Sequence, residues 1–367
     1  MRNLTIILLF LIILIKSVNG QHTDDTLSGA GNLYLNIRNI NFIKNNEYSN
    51  PVIEGATLIG YFLQPEIVYL PSHKLTLRLG IHLLSYSGTN KFSLIKPVFS
   101  TSYYFSEHSS VTIGSLSGSD KHNMFDPHYN RERMYNAYSE DGLQFITSND
   151  HVFSDTWLNW ENFIFKGDST REIFTAGESF RYSSSLIGDL FRVQIPVQLQ
   201  FKHYGGQISN YPEHIETYFN IATGARISIE IADKKYGEAG GEYLMFIGKE
   251  LTGNSPTGIS YGNGEWYKLF YSYKMARLEI GYWQAHDFFA PNGNYIYGYV
   301  SDYRKNVILH DRRILTGSAN LTLIPDRFVE LYLGFEGFYD LNLKRFDHSI
   351  TLHLSFDKLI KIASVEK

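Results

Sequence analysis

The sequence predicts an all-β fold: a single antiparallel transmembrane β-barrel of about 14–16 strands, following a cleaved signal peptide. Three observations carry this expectation. Apolar and polar residues alternate with a period of two over most of the chain. The alternating segments run about nine to twelve residues, enough for a tilted strand to cross a bilayer and longer than the usual sandwich strand. After one apolar run at the N-terminus, no second run long enough for a spanning helix follows.

At the N-terminus, Arg2 supplies a positive charge and Leu4–Ile15 an apolar stretch broken only by Thr5. Lys16–Gly20 forms a polar end, with Val18 and Gly20 small before Gln21. A spanning helix needs roughly 20 apolar residues, so residues 1–20 read as a signal peptide for Sec export. Residues 21–31 read as a flexible N-terminus, 32–356 as the barrel and 357–367 as a C-terminal tail.

Within the barrel, Leu75, Leu77, Leu79, Ile81 and Leu83 alternate with Thr76, Arg78, Gly80 and His82. The cleanest alternation sets Phe191, Val193, Ile195, Val197, Leu199 and Phe201 against Arg192, Gln194, Pro196, Gln198, Gln200 and Lys202. Comparable strands are expected around Arg277–Tyr282, Leu315–Leu323 and Val329–Glu336, and a last one where Ile350, Leu352, Leu354 and Phe356 oppose Ser349, Thr351, His353 and Ser355. Short turns fall at Pro71-Ser72-His73, Ser106-Glu107-His108, Asn149-Asp150 and Pro325-Asp326-Arg327. Longer connections are expected at 115–141, 234–242 and 303–307; alternating short and long connections fit a barrel with two unlike sides.

Composition narrows the function. The 27 Tyr and 25 Phe suit strands and membrane-interface belts. With 33 basic against 37 acidic residues there is no basic stripe, so no nucleic-acid partner is expected. The chain has no cysteine, which excludes thiol catalysis, Cys-ligated zinc and a lipoprotein anchor. No His-Glu-x-x-His, aspartate-rich calcium loop or Gly-x-Ser-x-Gly elbow occurs, so neither metal nor cofactor nor catalytic residue is assigned.

The polar strand faces hold charges of both signs. Arg78, Arg192, Lys202, Arg226 and Arg277 are pore-lining candidates together with Glu161, Glu230, Glu279, Glu330 and Glu336. The competing role is a set of internal ion pairs closing a small barrel. About sixteen strands leave an aqueous channel where eight would be filled. The polar stretch Asp120–Asp141 carries Phe125, Tyr129, Tyr135 and Tyr138 and is long enough to fold into the lumen. There Asp126, His128, Arg131 and Arg133 would line a constriction; the other possibility is a loop packed on the outer rim. His286 precedes Asp287 and His310 precedes Asp311, but neighbours on a strand face opposite sides and form no dyad. Trp160 reads as a belt residue and Trp157 and Trp283 as interior ones.

The signal ending Val18-Asn19-Gly20, the Tyr-, Phe- and Asn-rich strands and the amphipathic segment His348–Phe356 resemble uncharacterised porin-like outer-membrane β-barrel proteins of the Bacteroidota. The resemblance implies the outer membrane of a Gram-negative cell, assembly by the barrel-assembly machinery, and outer-membrane lipid as surroundings. It brings no catalytic residue. Such barrels often end on an aromatic residue, whereas here residues 357–367 follow Phe356. The function expected is a passive porin-like channel or transport barrel for small hydrophilic solutes. The alternatives are a secreted or surface β-sandwich that binds or hydrolyses carbohydrate, and an outer-membrane barrel enzyme.

Overall fold

The computed structural model describes residues 30–188, 190–206, 208–212, 214–232, 237–304, 306–326 and 328–364. The expected signal peptide and most of the expected flexible N-terminus lie outside them. Sixteen strands follow in chain order: β1 (Asn32–Glu47), β2 (Thr57–Ser72), β3 (Leu75–Tyr86), β4 (Leu94–Ser106), β5 (Ser109–Ser115), β6 (Asp141–Ser148), β7 (Val152–Asn162) and β8 (Glu172–Ser183), then β9 (Phe191–Gly205), β10 (Glu216–Glu230), β11 (Glu238–Glu250), β12 (Tyr261–Tyr273), β13 (Ala276–His286), β14 (Asp311–Pro325), β15 (Val329–Asp340) and β16 (Arg345–Ser364).

Each strand pairs antiparallel with the next, and β1 returns to β16, from Asn32 opposite Ser364 to Glu47 opposite His348. The sheet therefore has no edge. In hydrocarbon that closure is obligatory, because an unpaired backbone group finds no water. Side chains sort as the alternation requires. On β16, Ile350, Leu352 and Leu354 are 37–47% exposed on the outer wall, while Ser349, Thr351 and His353 are at most 7% exposed and point inward. The apolar faces look outward rather than at a second sheet, which overturns the β-sandwich alternative.

The boundary of the last strand differs from expectation. β16 does not stop at Phe356; the supposed tail continues as strand to Ser364, paired with β1. Lys358 breaks the outward apolar series in the sequence, while Asp357 continues the inward polar one and holds the ladder by an ion pair to Arg38 at 2.9 Å.

Connections divide between two rims. The rim that carries Asn32 and Ser364 has short turns, among them 73–74, 107–108, 149–151 and 274–275. The opposite rim carries the long segments 48–56, 116–140, 251–260 and 287–310. The long connection expected at 234–242 is shorter, since β11 already starts at Glu238, and it lies on the short-turn rim.

Two long segments turn inward and form the core. Segment 116–140 leaves between the short strands β5 and β6, beside Gly114. A Cβ on Gly114 would stand 2.1 Å from the Phe99 carbonyl oxygen, and its φ of +102° lies where L side chains rarely go. Tyr135 and Tyr138 of this segment pack against Phe42, Phe62 and Leu84 of the wall. Segment 287–310 sets Phe288, Ile296 and Tyr297 against Leu244, Phe246, Trp266 and Trp283. No helix among the described residues is long and apolar enough to cross a membrane.

Candidate functional site

Segment 116–140 crosses the lumen and is bonded to wall strands around it. His122 donates from Nδ1 to Asp155 of β7 at 2.9 Å and from Nε2 to Glu140 at 2.6 Å. Gln198 of β9 accepts from the Phe125 amide at 2.9 Å. Asn46 of β1 donates to Glu132 at 2.7 Å, and the Tyr135 hydroxyl meets His353 of β16 at 3.2 Å. Lys96 of β4 donates to the Ser139 carbonyl at 2.9 Å. Segment 287–310 meets it inside: the Asn130 amide donates to the Asn292 carbonyl at 2.7 Å, and Asn294 Nδ2 donates to Asp126 at 2.8 Å. Gly293 allows this approach, since a Cβ there would lie 2.1 Å from the Pro127 carbonyl oxygen. The two segments together form a plug.

The four loop candidates take different positions in it. Asp126 is buried, accepting from Asn294 and from the Arg131 amide; burial pushes its carboxyl up. Arg131 leaves its side chain exposed inside the lumen, with Glu336 at 4.0 Å. Arg133 stands 3.6 Å from Glu140 and 4.6 Å over the Tyr129 ring. His128 corrects the expectation: it is fully buried, edge-on to Phe246 at 5.5 Å, with no partner for either ring nitrogen among the described residues. Burial alone pushes its pKa down to about 3, so it is a neutral packing residue and lines no constriction.

All ten pore-lining candidates lie on inward strand positions; nine have an opposite charge nearby, and Glu330 faces a histidine. Arg78 meets Glu66 at 3.0 Å, Lys202 meets Glu161 at 2.6 Å, and Arg192 stands 3.6 Å from Glu230. Arg277 meets Glu279 at 2.6 Å and Lys44 meets Glu336 at 2.8 Å. Arg226 stands 3.7 Å from Glu238, and Glu330 is 3.5 Å from His353. The interior is thus laced by ion pairs and crossed by the plug.

A second site lies on the outer wall. Outward-facing Ala225 and Gly241 are too small to fill the wall, so Ile227, Tyr243, Tyr267, Leu269, Ile280 and Leu315 border a groove of about 820 Å³. Following β13 toward the long-loop rim, the outward residues are Leu278, Ile280, Tyr282, Gln284 and His286. The wall therefore turns from apolar to phenolic to polar over about 26 Å of strand. Glu265, an outward carboxylate beside the groove, accepts from Tyr243 at 2.9 Å, Tyr267 at 3.1 Å and Gln284 at 2.5 Å. At the rim His286 Nδ1 meets Asp311 at 2.9 Å and His310 Nδ1 meets Asp287 at 2.7 Å. In the His310–Asp287 pair the carboxylate fixes the Nδ1–H tautomer and makes Nε2 the basic nitrogen, whereas His286 Nε2 itself faces Asp287 at 3.4 Å.

The strand ladder brings each histidine its nearer partner, and, against the expectation for neighbours on a strand, His286 Nε2 also stands 3.4 Å from Asp287 at the strand end. His286 and Asp311 are opposite partners in the β13–β14 register. The usable signal is that His-Asp occurs at both ends of one connecting segment.

A protein-family model described as Lipid A 3'-O-deacylase-type matches residues 22–365. No curated protein sequence matches the chain. Among solved structures, a loop L8 deletion mutant of OmpT, an outer membrane protein of Vibrio cholerae, is similar at 10% identity over 90% of this chain and 100% of that one, with a TM-score of 0.50. OccK11 (OpdR) of Pseudomonas aeruginosa is 8% identical over 90% and 98%, with a TM-score of 0.49. An anion-selective porin from Comamonas acidovorans is 8% identical over 89% and 100%, with a TM-score of 0.48. At such identities the likeness concerns the fold alone.

Proposed function

The chain belongs to the Lipid A 3'-O-deacylase-type family, and from that premise we propose that it is an outer-membrane barrel enzyme that hydrolyses an acyl ester of lipid A at its outer wall. The observation that carries this reading is the outer groove of about 820 Å³ beneath a rim with two His–Asp pairs. An acyl chain fits the apolar groove, and the sugar headgroup then stands at the level of the polar wall residues. His310, held by the less exposed Asp287, is the candidate base, with His286 and Asp311 beside it. In the step itself, His310 Nε2 takes a proton from water and the hydroxide adds to the ester carbonyl carbon. The bond to the sugar oxygen breaks, and that oxygen leaves with the proton from His310, giving a free fatty acid and a sugar hydroxyl.

The porin-like reading keeps the fold and the location but has to pass solute through the plug. The export route, outer-membrane lipid and the barrel-assembly machinery as partners belong to both readings. Mass spectrometry of lipid A from cells expressing the protein separates them. Loss of one acyl chain, abolished in His310→Ala/His286→Ala, supports the enzyme. Unchanged lipid A together with stepwise conductance in planar bilayers would replace it with the channel.

A further inference from the structure

Beneath the plug, on the side of the short-turn rim, the lumen keeps a cavity of about 420 Å³ that the proposed lipid chemistry does not use. This is within the size range of small-molecule pockets, about 300–1,000 Å³. Its wall contains two guanidinium groups on one aromatic ring: Arg226 stands 3.9 Å and Arg277 4.4 Å from the Phe270 centroid. Two like charges so close favour an anion between them. The neighbouring acids are already engaged, Glu279 by Arg277 at 2.6 Å and Glu242 by Lys268. Arg226 is less well served, with Glu238 at 3.7 Å and its Nε buried without a partner among the described residues.

The plug supplies the opposite face. Ser119 is 6% exposed, and its hydroxyl, like Asp120 Oδ1, is buried without a partner among the described residues. Both residues line the same cavity as Arg226 and Arg277. One face thus offers donors to an oxyanion, and the other offers a hydroxyl and a carboxylate oxygen suited to ligand hydroxyls. We propose that this vestibule binds a small hydroxylated oxyanion of the sugar-phosphate or hydroxy-acid class, entering from the rim that carries Asn32 and Ser364.

The test is calorimetric titration of the folded full-length barrel in detergent micelles with glucose 6-phosphate, inorganic phosphate and glucose. Saturable binding of glucose 6-phosphate, stronger than that of phosphate and far stronger than that of glucose, is expected. Arg226→Gln should weaken it by about tenfold, the loss of one charge-assisted contact. Ser119→Ala should lower glucose 6-phosphate to the affinity of phosphate and leave phosphate unchanged. Arg192→Gln, a rim cation outside the cavity, should change nothing. Absence of saturable heat, or equal weakening by Arg192→Gln and Arg226→Gln, would overturn the proposal by reducing it to diffuse attraction. If Arg226→Gln fails to shift its gel mobility on heating, as a folded barrel should, the Ser119→Ala comparison decides alone.

Discussion

His122 lies flat against Trp157, with ring centroids 3.8 Å apart and planes 11° from parallel. The imidazole belongs to the plug and the indole to the wall, so this stack adds to the hydrogen bonds that join the two layers. Asp155 and Glu140 hold the ring nitrogens on either side. Burial works against the charged ring, but its hydrogen bonds to the two carboxylates, and their charges, outweigh it and raise the pKa to about 9. A histidine raised in the folded state stabilises fully below its ordinary value of about 6.5, and the contribution is lost as pH rises through about 9. Urea unfolding followed by tryptophan fluorescence should therefore show stability falling across that window. His122→Ala should cost about 3–5 kcal/mol at neutral pH, since it leaves two buried carboxylates without their cation. Parallel pH profiles for the wild type and His122→Gln would remove the role.

The plug should control conductance whichever function holds. Replacing 117–139 by a short Gly-Ser linker is expected to raise single-channel conductance in planar bilayers. Gly293→Val should act in the same direction more weakly, because its side chain would have to enter the Pro127 carbonyl and push the two segments apart. Identical traces for the wild type and the deletion would mean that the segment does not obstruct the path.

The rim histidines yield a chemical prediction. His310→Ala should reduce release of fatty acid from lipid A by about 10²-fold or more, the usual range for loss of a general base. His286→Ala should reduce it too, whereas His203→Ala, on another part of the wall, should not. Heat-modifiable gel mobility provides the folding control for all three. Equal activity in the His310 variant would move the base elsewhere.

Much of this architecture was legible because one physical rule governs it. Period-two alternation separates Ile350, Leu352 and Leu354 from Ser349, Thr351 and His353 whatever the rest of the chain does. The same rule puts Trp157 and Trp283 inside, where both are buried. Alternation is silent on what fills the inside. That 116–140 and 287–310 meet depends on Asn292 and Asn294 reaching Asn130 and Asp126, a contact across more than 150 residues with no local signature. His128 is polar in type, yet it sits sealed against Phe246; residue type alone does not say which polar side chain is closed off from the lumen. The rim pairs were hidden because the β13–β14 register, which sets His286 opposite Asp311, is a property of two strands.

The corrected end of β16 can be tested through the depth dependence of charge on the lipid face. Leu352 is outward in the middle of the strand, and Ile362 is outward close to its end, beside the irregularity at Leu33 and Tyr34. A spanning strand needs about 9–11 residues, so a strand running from Arg345 to Ser364 carries its last turn-side residues beyond the hydrocarbon. Arginine on the lipid face costs about 2–4 kcal/mol at the bilayer midplane and about 0–1 near the interface. Leu352→Arg should therefore lower unfolding free energy in phosphatidylcholine vesicles by about the larger amount and Ile362→Arg by the smaller. Asp357→Ala adds a control of a different kind, since it removes the partner of Arg38 without touching the lipid face. If it raises hydrogen exchange at residues 358–364 and leaves the midplane amides protected, the terminal segment is held as strand by its pairing with β1. If residues 358–364 already exchange freely in the wild type, the strand ends near Phe356 after all.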